Sequence, residues 1–85
     1  MMEQSIRVGS SLGAAIQKAR QAKKLTQEQL AAKLQVNGCD MARYTYAKIE
    51  TGARHIKAEE LHAIKEVLGM RYEDFFAQDE KETDA

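Results

Sequence analysis

Proline is absent from this chain, cysteine occurs once and aromatic residues number five. Without proline nothing in the sequence forces a kink or an abrupt end on a helix. The single thiol, Cys39, excludes an internal disulfide, and with only two scattered histidines it offers no plausible zinc set. Because aromatics are confined to Tyr44, Tyr46, Tyr72, Phe75 and Phe76, aliphatic side chains must supply most of the buried surface. No apolar run approaches the length needed to span a bilayer, and Met1 to Gly9 lacks the apolar core of a signal peptide. The expectation is a chain of the reducing cytoplasm, with no membrane partner. Eighty-five residues suffice for one modest core, but not for a deep catalytic cavity as well. No nucleophile, metal or phosphate-loop constellation is visible, so the reading is a protein that is not an enzyme and needs no cofactor.

What is present is charge and helical periodicity. With 44% apolar and 31% charged residues, the composition is that of a soluble helical domain. A formal net charge of zero hides an asymmetry. Residues 1–57 hold ten basic side chains against four acidic ones, and residues 58–85 hold three against nine. One end is thus suited to a polyanion while the other faces away from it, the plainer alternative being an ordinary soluble surface whose charges happen to segregate.

The pattern divides the chain into an N-terminal arm at 1–9, a helical domain at 10–77 and an acidic tail at 78–85. Ile6 and Val8 are the arm residues able to pack on the core. Leu12, Ile16 and Ala19 recur at helical spacing and predict a first helix from Ser10 to Lys23. Gly13 weakens that helix and permits a close backbone approach. Thr26 and Gln29 form a capping box, which opens a second helix whose buried stripe is Leu30, Ala31 and Leu34. Gln35 to Met41 is expected to connect it to a third helix, with Asn37-Gly38 as turn chemistry. In the third helix Tyr46 and Ile49 face inward, Arg43, Tyr44, Ala47 and Lys48 face outward, and Gly52 closes it. Ala53 to Lys57 reads as a basic loop. Leu61, Ile64, Val67 and Leu68 mark a fourth helix from Ala58 to Leu68, stopped by Gly69. Tyr72, Phe75 and Phe76 suggest a short fifth helix. Its aromatics either complete the core or pair with a second subunit; two adjacent aromatics cannot both point inward from one helix, which leaves one for a partner.

At Thr26-Gln27, at the L-A-x-K-L run from Leu30 to Leu34 and at Lys48-Ile49-Glu50-Thr51-Gly52, the sequence resembles the Cro-like helix-turn-helix family of phage repressors and xenobiotic-response-type bacterial regulators. The resemblance covers roughly residues 12–76. It implies an all-α, lambda-repressor-like bundle of four to five short helices whose third helix enters the major groove of double-stranded DNA. By matching position it implies that Arg43, Tyr44 and Lys48 face base edges and that Gln27, Thr51, Arg54 and His55 meet the DNA backbone. Arg20 and Glu50 match a pair that links the first helix to the end of the third, and Arg20 is a further backbone contact. A homodimer acting as a repressor on an inverted repeat is the expected form, with no small-molecule ligand evident.

Residue chemistry is consistent with those implied roles. Arginine and lysine can donate to guanine O6 and N7, and a helix N-terminus such as that at Gln27 suits an anionic oxygen. For Tyr44 three readings stay open: a ring edge on a thymine methyl, a hydroxyl on a phosphate, or packing on the connecting loop. Departures from the family pattern lie at the long second connection, at Lys24 where glycine is common, and at Ala42 and Lys57 where capping residues are usual. The lack of a cap at Ala42 moves the expected start of the third helix to Asp40. Plainer readings accompany these: Cys39 as an inert thiol, His55 and His62 as surface histidines, and Glu59, Glu60, Glu66 and Glu73 as a solvated face. A second function class, a helical adaptor such as an antitoxin or antirepressor partner, would use the acidic half instead.

Overall fold

A computed structural model describes residues 5–6 and 10–76. The elements in chain order are β1 (Ser5–Ile6), α1 (Ser10–Ala22), α2 (Gln27–Val36), α3 (Arg43–Thr51), β2 (Ile56–Lys57) and α4 (Ala58–Leu68), followed by a helical turn, α5, at 72–76. The rest of the expected arm, Val8 included, and the acidic tail at 78–85 lie outside the described residues.

Each helix forms where an apolar stripe coincides with workable ends. Leu12 and Ile16 lie one turn apart on α1 and are buried, with Ala19 partly buried beyond them. The capping box at α2 is complete, with Gln29 N–H donating to Thr26 Oγ1 at 3.0 Å and Thr26 N–H donating to Gln29 Oε1 at 2.8 Å. These bonds satisfy two of the donors that a helix start leaves without partners. At α4 the residue before the helix is Lys57, whose side chain has no acceptor to offer. Only the returning half of a capping box forms there, with Lys57 N–H donating to Glu60 Oε1 at 2.9 Å.

The C-terminal ends share one device. After α1, α2, α3 and α4 the chain turns through a residue of positive φ, namely Lys24, Gly38, Gly52 and Gly69. A paired set of backbone bonds closes each end, as in Gly52 N–H to Ile49 O and Ala53 N–H to Lys48 O. The same pair closes α1, from Lys24 N–H to Gln21 O and from Leu25 N–H to Arg20 O. Only there is the left-handed position filled by a residue with a Cβ.

The helices enclose one core, in which Ile16, Leu30, Leu34, Tyr46, Ile49, Ile56, Ile64 and Phe75 are fully buried. Gly13 is where α1 meets α3. A Cβ at that position would stand 2.3 Å from the Glu50 carbonyl oxygen and 2.8 Å from that of Ile49. No side chain fits between these two backbones. Phe75 faces the core while Phe76 is only partly buried against it, so the adjacent aromatics do divide their environments. Tyr72 ties α5 to α4, with its hydroxyl 2.9 Å from His62 Nδ1 and its ring 5.2 Å beneath Lys65 Nζ.

Three expectations need correction. Helix α2 continues to Val36, so the connection runs over 37–42. Helix α3 starts at Arg43 rather than near Asp40; Ala42 holds the cap position in extended conformation and makes no side-chain cap bond. Burial of Met41 accounts for this, because drawing that side chain into the core keeps the backbone extended past an exposed Asp40. The loop Ala53 to Lys57, finally, contains a strand. Ile56 and Lys57 pair antiparallel with Ile6 and Ser5 in an otherwise helical fold. Ile56 is fully buried there, a core position that helical periodicity does not reveal.

Candidate nucleic-acid interface

Residues three and four apart share a face of a helix. On α3 this places Arg43, Tyr44, Ala47, Lys48 and Thr51 on the side opposite to Tyr46, Ile49 and Glu50. Arg43, Lys48 and Thr51 are exposed, and Tyr44 is 66% exposed. Ala47 between them is small and half-buried, which leaves the middle of the face low. Among the described residues no side chain holds Arg43, Tyr44 or Lys48. Their donors are free to meet an outside acceptor.

The buried side of α3 is held by a polar cluster. Arg20 of α1 donates from Nε to Glu50 Oε2 at 2.6 Å and from Nη2 to Oε1 at 3.2 Å, while its Nη1 donates to the Leu25 carbonyl at 2.8 Å. Gln27, the first residue of α2, donates from Nε2 to Glu50 Oε1 at 3.0 Å, and the Tyr46 hydroxyl donates to Oε2. Burial alone would raise the pKa of Glu50, but the bonds from Arg20, Tyr46 and Gln27 outweigh it and hold the carboxyl below the ordinary carboxylate range. Burial, reinforced by the bond to Glu50, pushes the Tyr46 phenol far above its usual value, so Tyr46 stays protonated and donates to Glu50. The cluster ties α1, α2 and α3 together at one carboxylate.

Past α3 the chain carries a second clasp. Arg54 extends its fork to Glu60 with both contacts at 3.0 Å, and its Nη1 also donates to the His55 carbonyl. The fork fixes the loop on the first turn of α4 and leaves the His55 side chain exposed. Glu60 is held below the usual carboxylate range, because the bonds from Arg54 and from the Lys57 backbone outweigh the effect of its burial. Cys39 sits half-buried in the 37–42 connection; burial first, and the nearby Glu60 charge next, push its thiol pKa up and keep it protonated.

Of the residues singled out from the sequence, Arg43, Tyr44, Lys48 and Thr51 come together on one exposed face. Gln27 flanks that face across a shallow cleft lined by Arg20, Thr26, Gln27, Glu28 and Arg43. His55 lies on the loop after α3 with its side chain exposed. Arg20 is 8% exposed and bound to Glu50, and Arg54 is half-buried and bound to Glu60, so both guanidinium groups already have anionic partners. Sequence reasoning overlooked Tyr46 and Gln27 as members of the Glu50 cluster. The i, i+4 spacing of Tyr46 and Glu50 was a usable signal; Gln27 lies 23 residues away and gives none.

An exposed basic helix, braced from behind by two preceding helices and joined to a capped helix through the 37–42 connection, is the arrangement of a helix-turn-helix DNA-binding domain. A family model described as helix-turn-helix matches residues 16–75, from within α1 to α5. The chain belongs to the Cro/C1-type helix-turn-helix family of DNA-binding regulators. No protein of curated function matches the chain.

Proposed function

We propose that this domain binds double-stranded DNA sequence-specifically, with α3 in the major groove, Arg43, Tyr44 and Lys48 at base edges, and Gln27, Thr51 and His55 at phosphates. The observation that carries the reading is the division of labour on α3. Among the described residues the outward side chains of Arg43, Tyr44 and Lys48 are unengaged and Thr51 bonds only to the Lys48 carbonyl of its own helix, whereas the polar groups behind α3 are paired. Phosphate contacts would set the register of the helix and base contacts would supply discrimination. Arg20 and Arg54 serve this surface by positioning it, since each is drawn into an ion pair.

The acting form is a homodimer on an inverted repeat, and the role is that of a cytoplasmic transcriptional repressor. Two half-sites are the usual route to useful affinity for a module of this size. A second copy would also cover apolar surface that one chain leaves open, such as Val36, which is 87% exposed. The test is selection of bound fragments from a random duplex pool, followed by titration of the selected site at rising salt. Expected are a two-fold-symmetric site, two chains per site, and a log–log salt slope of about −0.9 for each phosphate neutralised. Arg43→Ala should relax preference at one base pair of each half-site, by about 1–3 kcal/mol. Affinity that is flat in salt would refute the proposal.

A further inference from the structure

Tyr46 occupies a core position and is fully buried, yet it carries a hydroxyl into that core. Burying a phenol is unfavourable unless the hydroxyl finds a partner. Its partner is Glu50, one turn along the same helix, on the oxygen that also accepts from Arg20 Nε. The other oxygen accepts from Gln27, at the start of α2, and from Arg20 Nη2. One carboxylate therefore gathers donors from all three helices, and Tyr46 is the only one of these donors that belongs to α3 itself.

We propose that Tyr46 is a specificity-determining positioning residue, whose hydroxyl locks the Glu50 carboxylate and so holds the start of α2 and the exposed face of α3 at one separation and one rotation. This rests on the DNA-binding reading above. Without the hydroxyl the carboxylate is held only from α1 and α2, by the Arg20 fork and Gln27, and loses its bond to the body of α3, so it can shift with Arg20 and the link to Gln27 loosens. Base edges must be met to within about 0.5 Å, so recognition suffers from that play. Attraction between exposed basic side chains and phosphates acts without such register. The loss therefore falls on discrimination and spares sequence-independent binding.

Tyr46→Phe keeps the ring and removes only the donor. Affinity for the selected site should fall about tenfold, equivalent to about 1.4 kcal/mol. Affinity for an unrelated duplex should stay within about twofold, since the charge of the basic side chains that attract phosphates is unchanged and loosening the uncharged Gln27 amide alters that attraction little. In the DNA-free protein the side-chain amide signals of Gln27 should shift in the 15N spectrum of the variant. Equal affinity for the selected site, an equal fractional loss on both duplexes, or unchanged Gln27 amide signals would overturn the proposal. A wild type that binds no duplex overturns the DNA reading itself, and the proposal with it. The wild-type spectrum alone supplies an independent measure that needs no variant to fold: a Tyr46 hydroxyl proton in fast exchange with water also overturns the proposal.

Discussion

Replacing Gly13 by alanine tests whether the α1–α3 crossing sets the geometry of the interface. Two effects oppose each other. Alanine is the better helix former, by roughly 0.5–1 kcal/mol in a helix interior. Against this, the new methyl would stand 2.3 Å from the carbonyl oxygen of Glu50, 2.8 Å from its carbonyl carbon and 2.8 Å from the carbonyl oxygen of Ile49. All three are backbone atoms of α3 and cannot swing aside as a long side chain would. Restoring ordinary contact, at about 3.4 Å, requires the helices to separate by about 1 Å. Overpacking of this kind typically costs about 1–3 kcal/mol. The same displacement lengthens the 2.6 Å bond between Arg20 and Glu50, which joins the same two helices. Loss of a buried pair's geometry is itself strongly destabilising. The clash therefore outweighs the propensity gain, and a net loss of about 2 kcal/mol or more is expected. Urea unfolding followed by circular dichroism measures it, and the midpoint should fall without a large change in slope. A Gly13→Ala variant as stable as its parent would show that α1 and α3 do not meet this closely.

Glu50→Gln probes the same crossing through pH. Because the folded pKa of Glu50 is depressed, its contribution is fully present above the unfolded carboxylate value of about 4.3 and is lost as pH falls through the lower folded value. The gap in stability between wild type and variant should be several kcal/mol at pH 7 and should narrow below about pH 4, as thermal unfolding at a series of pH values would show; a gap constant down to about pH 2 refutes the assignment. Lys24 occupies a left-handed conformation at φ 59°, which costs a residue with a Cβ about 1–2 kcal/mol. Lys24→Gly should raise stability by about 0.5–1 kcal/mol after the entropy of glycine is deducted, and a lowered melting temperature would count against it.

The helices were legible in the sequence because their causes are local. The capping box at Thr26 and Gln29, the stop at Gly52, and the span from Ala58 to Leu68 each depend on residues within one or two turns. The outward face of α3 was legible for the same reason, since helical spacing alone separates Arg43, Tyr44 and Lys48 from Tyr46 and Ile49. Other features were settled only by tertiary contacts. The start of α3 follows from burial of Met41 against distant helices, and the strand at Ile56 from pairing with residues 50 positions earlier. The withdrawal of Arg20 and Arg54 into ion pairs, and the convergence of Gln27 and Tyr46 on Glu50, likewise depend on partners brought near by folding. Periodicity assigns a side chain to the inside or the outside of its own helix; which charge finds which partner depends on how the helices cross, and that is decided in part by the absence of a Cβ at Gly13.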